Sequence, residues 1–128
     1  MPSYRFPKKE RLSGKKLWEA VFNGGNRLKA FPLALQYKRS PLPEKVPVQV
    51  GFAVPKKSFK KAVERNRIKR LMREAYRLEK PELFNNIEGS YAFVFLYLGK
   101  EMPGFSDISV ALKTLLKNFN AHEEAVEK

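Results

Sequence analysis

Residues 91–98 read Tyr-Ala-Phe-Val-Phe-Leu-Tyr-Leu, an unbroken apolar run with Gly89 before it and Gly99 after it. An amphipathic helix or a half-exposed strand would interrupt such a run with polar residues at a regular interval. A short continuous run between glycines is instead the pattern of a central strand covered on both faces. It falls well short of the roughly 20 apolar residues that a membrane-spanning helix needs. Whatever the chain folds into must place strands beside this segment and packing elements over it.

The remaining segments can supply them. Ser13 can cap a helix over residues 14–22, with Leu17, Trp18, Val21 and Phe22 on one side, and Asn23-Gly24-Gly25 can end it through a positive φ. Residues 26–30 suit a short strand. In residues 33–38, Leu33, Leu35 and Tyr37 alternate with Ala34, Gln36 and Lys38. In residues 48–54, Val48, Val50, Phe52 and Val54 share one face, while Gly51 permits close approach on the other. Residues 39–46 are a proline-rich connection, and Pro55 ends the strand that follows it. A helix is predicted over 61–77, stopped near Lys80-Pro81. Ser106 can cap a last helix with Ile108, Leu112, Leu115, Leu116 and Phe119 in one stripe. Residues 120–128 are a polar tail expected to fray, and residues 1–10 a flexible basic N-terminus. The order α-β-β-β-α-β-α describes an α+β fold, a two-layer sandwich in which a small four-stranded mixed sheet is packed with helices. Residues 1–128 make one domain, because two cores would each bury too little surface.

Charge narrows the function. The net charge is +13 with a pI near 10.1. Residues 56–77 hold ten basic and two acidic side chains, net +8, whereas residues 78–128 hold five and eight, net −3. A field so unevenly placed favours a polyanion on one surface, and nucleic acid is the usual polyanion inside a cell. Cysteine is absent, which excludes disulfides and Cys-ligated zinc and suits a reducing cytoplasm. The N-terminus carries charges and prolines where a signal peptide has its apolar stretch, so a cytoplasmic location is expected.

The basic stretch is two-sided. At about 100° per residue, Leu71, Met72, Ala75 and Tyr76 lie within about 80° of Ile68. Asn66, Arg70, Arg73 and Arg77 lie on the opposite side, with Lys69 between, and Arg65 and Arg67 flank the first turn. Lys56, Lys57, Lys60 and Lys61 precede the helix. Solvated faces ordinarily mix signs at i,i+4. Only Glu64 and Glu74 answer ten cations here, and the resulting repulsion is relieved when phosphates intervene.

The stretch Lys56-Lys57, followed by Ala62-Val63-Glu64-Arg65-Asn66-Arg67-Ile68-Lys69-Arg70-Leu71-Met72-Arg73-Glu74-Ala75, resembles the RNR signature of the bacterial ribonuclease P protein subunit. Arg11-Leu12, Ala20-Val21-Phe22 and Gly25 are similar to that family's N-terminal pattern, and the likeness spans residue 8 to about residue 119 in element order. It implies a fold like the second domain of a small-subunit ribosomal protein, with a left-handed crossover joining strand 47–54, helix 61–77 and strand 91–98. General rules favour the right-handed sense. It also implies a subunit that assists a catalytic RNA, working with Mg²⁺, in removing the 5′ leader from precursor tRNA. Arg65, Asn66, Arg67, Lys69 and Arg70 would then face that RNA, and Lys56 and Lys57 match the family's basic pair. Trp18 and Phe22 match aromatics that help line a cleft for the single-stranded leader. Tyr37 and Phe52 are candidates for the same cleft by face and type. Two departures stand out: between the basic pair and the long helix, where a Gly-Asn pair is common, the chain has Ser58-Phe59-Lys60-Lys61 and is one residue longer, and Pro55 stands where serine is common.

The inventory of reactive groups gives no catalytic set. A protein nuclease needs a general acid and base, or carboxylates holding metal ions. Histidine occurs once, as His122 in the expected tail, and Asp107 is explained by a helix start. No protein-held metal is expected; hydrolysis would come from the RNA partner and its Mg²⁺. The partners implied are the ribonuclease P RNA and precursor tRNA, with the protein otherwise monomeric. The competing readings are a ribosomal-type or general RNA-chaperone protein, and a stand-alone nuclease. Trp18 and Phe22 at i,i+4 also suit plain core positions, so a mixed role, half packed and half exposed, is expected.

Overall fold

The computed structural model describes residues 8–42, 46–87 and 89–127. After a 3₁₀ turn at Lys8–Glu10 come α1 (Lys15–Gly24), β1 (Asn26–Ala30), β2 (Leu33–Arg39), β3 (Val48–Ala53), α2 (Ala62–Asn86), β4 (Tyr91–Tyr97) and α3 (Phe105–Glu127). The strands form one sheet in the order β1-β2-β4-β3. The apolar run is therefore central, antiparallel to β2 and parallel to β3. The β3–α2–β4 unit is the one for which the resemblance implies a left-handed crossover.

Alternation along β4 separates two apolar layers. Tyr91, Phe93, Phe95 and Tyr97 enter the main core with Ile68, Met72, Ala75 and Tyr76 of α2 and Ile108, Leu112, Leu115 and Phe119 of α3. Ala92 and Val94 face the other way and meet Leu12 and Val21, with Leu17 and Trp18 against them. Burying each large apolar side chain contributes about 1.5–3 kcal/mol, so the ring-rich main core carries most of the stability.

Helix ends differ from expectation in four places. Gly14, not Ser13, occupies the N-cap of α1, at φ 92, a conformation glycine adopts without the Cβ clash. Gly25 closes α1 at φ −89, so no left-handed turn is needed there. Its requirement is space, since a Cβ would overlap the carbonyl oxygens of Val21 and Tyr37. α2 continues through Pro81 to Asn86. The proline removes one N–H bond and crowds the Arg77 carbonyl, but buried Lys80 before it and buried Leu83 after it hold the helix together. α3 begins at Phe105, which puts Ser106 inside the first turn; Asp107 Oδ2 accepts the Gly104 N–H at 3.2 Å and takes the capping role.

The termini are also more structured than expected. α3 runs through the segment expected to fray, and His122 within it lies 2.5 Å from the Tyr37 hydroxyl through Nδ1. Of residues 1–10, only 8–10 fall among the described residues, and they are held. Lys9 and Leu12 bond to β3 through Gln49 Nε2→Lys9 O and Leu12 N→Val50 O, both 2.9 Å, and Arg11 bridges Val50. The free edge of β3 is covered by this strap, which removes an unpaired strand edge. Glu10 Oε1 lies 2.9 Å from Lys80 Nζ, with side chains 7% and 3% exposed. A buried pair of this kind gains little over an apolar pair, but losing one partner strands a buried charge.

Two predictions follow from this core. Lys80→Ala lowers unfolding free energy in urea by about 3–5 kcal/mol, while Glu10→Leu with Lys80→Met retains most of the parent stability. Tyr76 has its pKa raised well above 10.0, chiefly by burial and then by the Glu10 charge. The folded state keeps the Tyr76 proton where the unfolded chain releases it, so stability present below pH 10 falls as pH rises past it. Absorbance at alkaline pH is expected to show Tyr76 ionising only together with unfolding.

Candidate nucleic-acid interface

Burial of Ile68, Met72, Ala75 and Tyr76 against the sheet fixes the rotation of α2 about its axis. Asn66, Arg67, Arg70 and Arg73 consequently face solvent, and Lys69 is half-buried along the edge of that face. Among the described residues no ion pair involves Arg67, Lys69, Arg70 or Arg73. Lys56, Lys57, Lys60 and Lys61 are exposed ahead of the helix start.

Two expected members of that face are engaged elsewhere. Arg65 Nη1 donates to the carbonyls of Phe59 at 2.7 Å and Lys60 at 2.9 Å, folding its guanidinium back over the preceding loop. Both carbonyls lie in the approach to the helix, after the turn and before the first helical residue. Arg77 is paired to Glu74 one turn back. The hydrogen bond from Arg77 holds the Glu74 carboxyl below its ordinary pKa range, and Glu74 raises that of Arg77 in return. The pair is exposed, so it contributes little to stability.

The aromatic candidates separate onto opposite faces of the sheet. Trp18 lies flat on β3 where Gly51 leaves room, since a Cβ at Gly51 would overlap its ring. Its Nε1 donates to Leu12 O at 3.2 Å, and its ring stacks with Phe22 at 6.0 Å and 22°. Trp18 is half-buried and Phe22 is 40% exposed, so each ring is packed on one side and open on the other. Tyr37 and Phe52 do not join them. Both point into the main core, where Tyr37 packs on Phe119 at 4.8 Å and Phe52 on Phe95 at 5.9 Å. Strand alternation places them there: Tyr37 has the parity of buried Leu33 and Leu35, and Phe52 that of Val48 and Val50.

Sequence reasoning missed what does lie beside Trp18 and Phe22. Gln36 Nε2 donates to Phe22 O at 3.0 Å, and the register sets Arg27 opposite Gln36 and Lys29 opposite Ala34. Directly paired residues share a face, so exposed Arg27 and Lys29 put positive charge on the same face of the sheet as the aromatic pair. The alternation of Arg27 and Lys29 with Leu28 and Ala30 was the available signal. A cavity of about 800 Å³ opens elsewhere, between Phe31, Met102 and Val110, with Glu101 and Asp107 in its lining. It is remote in character from the basic surfaces. Among the described residues no three His, Cys, Asp or Glu side chains cluster as metal ligands would, and no helix is long and apolar enough to cross a membrane.

A sequence profile of the family described as Ribonuclease P matches residues 6–120. The chain belongs to the ribonuclease P protein family. It is 39% identical over 124 residues to the ribonuclease P protein component of Chlorobaculum tepidum, covering 88% of this chain and 80% of that protein. It is 34% identical over 119 residues to that of Porphyromonas gingivalis, covering 90% and 86%. Its fold is similar to the solved Staphylococcus aureus RNase P protein, with TM-score 0.68 at 21% identity, covering 86% of this chain and 94% of the other.

The departures from the family pattern at the helix approach have a physical account. Pro55 O accepts the N–H groups of Ser58 at 3.3 Å and Phe59 at 3.2 Å, closing a tight turn. Phe59 is buried against Tyr97 at 5.8 Å, so its ring pins the turn to the sheet. Lys60 and Lys61 are thereby carried outward beside Lys56 and Lys57. Arg65→Ala is expected to lose about 1–3 kcal/mol of stability in urea, because two backbone carbonyls lose their donor. Arg73→Ala is expected to stay within about 0.5 kcal/mol of the parent.

Proposed function

We propose that this chain is the protein subunit of a ribonucleoprotein endonuclease of the ribonuclease P type, and that it binds the catalytic RNA through the outer face of α2. The observation that carries this reading is the set Asn66, Arg67, Arg70 and Arg73, exposed and free of carboxylate partners on a helix whose other side is sealed in the core. Guanidinium groups meet phosphates bidentately, and each neutralised phosphate releases counterions. Lys56, Lys57, Lys60, Lys61 and Lys69 extend the same field. Arg65 serves mainly to shape the helix start.

The aromatic pair Trp18 and Phe22, with Arg27 and Lys29 on the same face of the sheet, suits a single-stranded RNA segment: bases stack on rings while cations follow the backbone. In this reading the segment is the 5′ leader of precursor tRNA. The protein contributes position and charge, and bond cleavage is supplied by the RNA partner with its Mg²⁺. The protein works in the cytoplasm as a monomer apart from the ribonucleoprotein.

Mixing the purified protein with a ribonuclease P RNA at low Mg²⁺ is expected to stimulate cleavage of precursor tRNA; no stimulation would reject the assignment. The double variant Arg70→Ala/Arg73→Ala is expected to keep the fold and to flatten the dependence of log affinity on log salt by about 1–2 units. An unchanged slope would show that this face does not meet phosphate.

A further inference from the structure

The buried Glu10–Lys80 pair has no part in either RNA surface, yet it joins them. Lys80 belongs to α2, on the main-core side of the sheet, and Glu10 belongs to the strap that crosses the β3 edge. Beyond Glu10 the strap is fixed to β3 by Leu12 N→Val50 O, and the Leu12 carbonyl is the acceptor for Trp18 Nε1. Within the apolar cluster of Leu12, Val21, Ala92 and Val94, the Trp18 ring meets the Leu12 carbonyl, the bare Gly51 backbone beneath it and the Phe22 ring beside it. Only the first of these, the hydrogen bond that orients the indole edge, is carried by the strap. The strap is held upstream by Gln49 Nε2→Lys9 O and by the Glu10–Lys80 pair.

We propose that Glu10 and Lys80 are positioning residues that hold Trp18 in its stacking orientation and so set the affinity of the α1 face for single-stranded RNA. This rests on reading that face as the leader groove. Neither residue meets RNA, because both side chains are buried. Their effect passes through the strap to the indole. An uncharged replacement of the pair that preserves burial leaves the core filled but removes the directional tie between α2 and the strap. The strap then keeps its apolar contacts, while Leu12 O loses its fixed position over α1. Trp18 is the only tryptophan in the chain, so its fluorescence reports this orientation without interference.

The test compares the parent, Trp18→Leu and Glu10→Leu/Lys80→Met, each assembled with ribonuclease P RNA well below its unfolding temperature. Affinity is measured for precursor tRNA with a leader and for the same tRNA without one. Trp18→Leu is expected to lower the leader-to-leaderless affinity ratio by about fivefold or more, the loss of one stacked base. The double variant is expected to lower the ratio in the same direction, with Trp18 emission shifted to the red and more readily quenched by acrylamide, while affinity for the catalytic RNA is unchanged. A general structural weakening would reduce both substrate affinities together and leave the ratio alone. If the double variant unfolds too easily, Glu10→Gln/Lys80→Gln keeps the shape, leaves no unpaired buried charge, and is read in the same way. A parent-like ratio and emission in the folded latch variant, with Trp18→Leu defective, would overturn the proposal and leave the groove reading standing. A parent-like ratio in Trp18→Leu would overturn the groove reading, and the proposal with it.

Discussion

The seal between one side of α2 and the sheet is the constraint on which the other features depend. Ile68, Met72, Ala75 and Tyr76 are essentially inaccessible, and Phe52 and Phe95 form the ring surface against which Tyr76 packs. A helix held in this way cannot roll about its axis without exposing several large apolar groups, at about 1.5–3 kcal/mol each. Arg67, Arg70 and Arg73 are therefore held outward by what lies beneath them, and among the described residues no ion pair holds them. Their mutual repulsion in the free protein is tolerated because the core side is strong, and it is available for release when phosphates arrive.

The sheet organises a second surface on its opposite face. β4 is apolar on both sides because it separates the α2–α3 layer from the α1 layer, and its small residues Ala92 and Val94 let α1 approach closely. Gly51 does the same for Trp18 on β3. An aromatic pair on the face that carries Arg27 and Lys29 thus sits across the sheet from the arginine column, and the strap over the β3 edge is the physical link between the two. The two surfaces share no side chains, so in the proposed reading the catalytic RNA and a single strand do not compete for the same groups.

Features with a local period were legible in the sequence. The two-sidedness of α2 follows from spacing near 3.6, and the central position of β4 from an apolar run that no half-exposed element would carry. Trp18 and Phe22 were placed on the correct helix with the correct partial exposure. What escaped depends on residues brought together from distant parts of the chain. Glu10 and Lys80 read separately as a terminal charge and a helix stop. Pro81 looked decisive because its local cost is visible, while the burial of Leu83 that offsets it is not. Tyr37 and Phe52 suit a cleft by face and type, yet their strand parity puts them in the main core; only the helices laid on each face reveal which parity is which. Arg65 had the right charge for the RNA face, but the carbonyls of Phe59 and Lys60 claimed it.

The chain has no cysteine, so single cysteines at Lys69 and Arg73 on α2, and at Lys113 and Lys117 on α3, can each carry a short photo-crosslinker into the complex with ribonuclease P RNA. The α2 positions are expected to crosslink to that RNA in high yield, and the α3 positions to give little. Equal crosslinking from both helices, or crosslinking from α3 alone, would contradict the claim that the outer face of α2 is where the RNA docks.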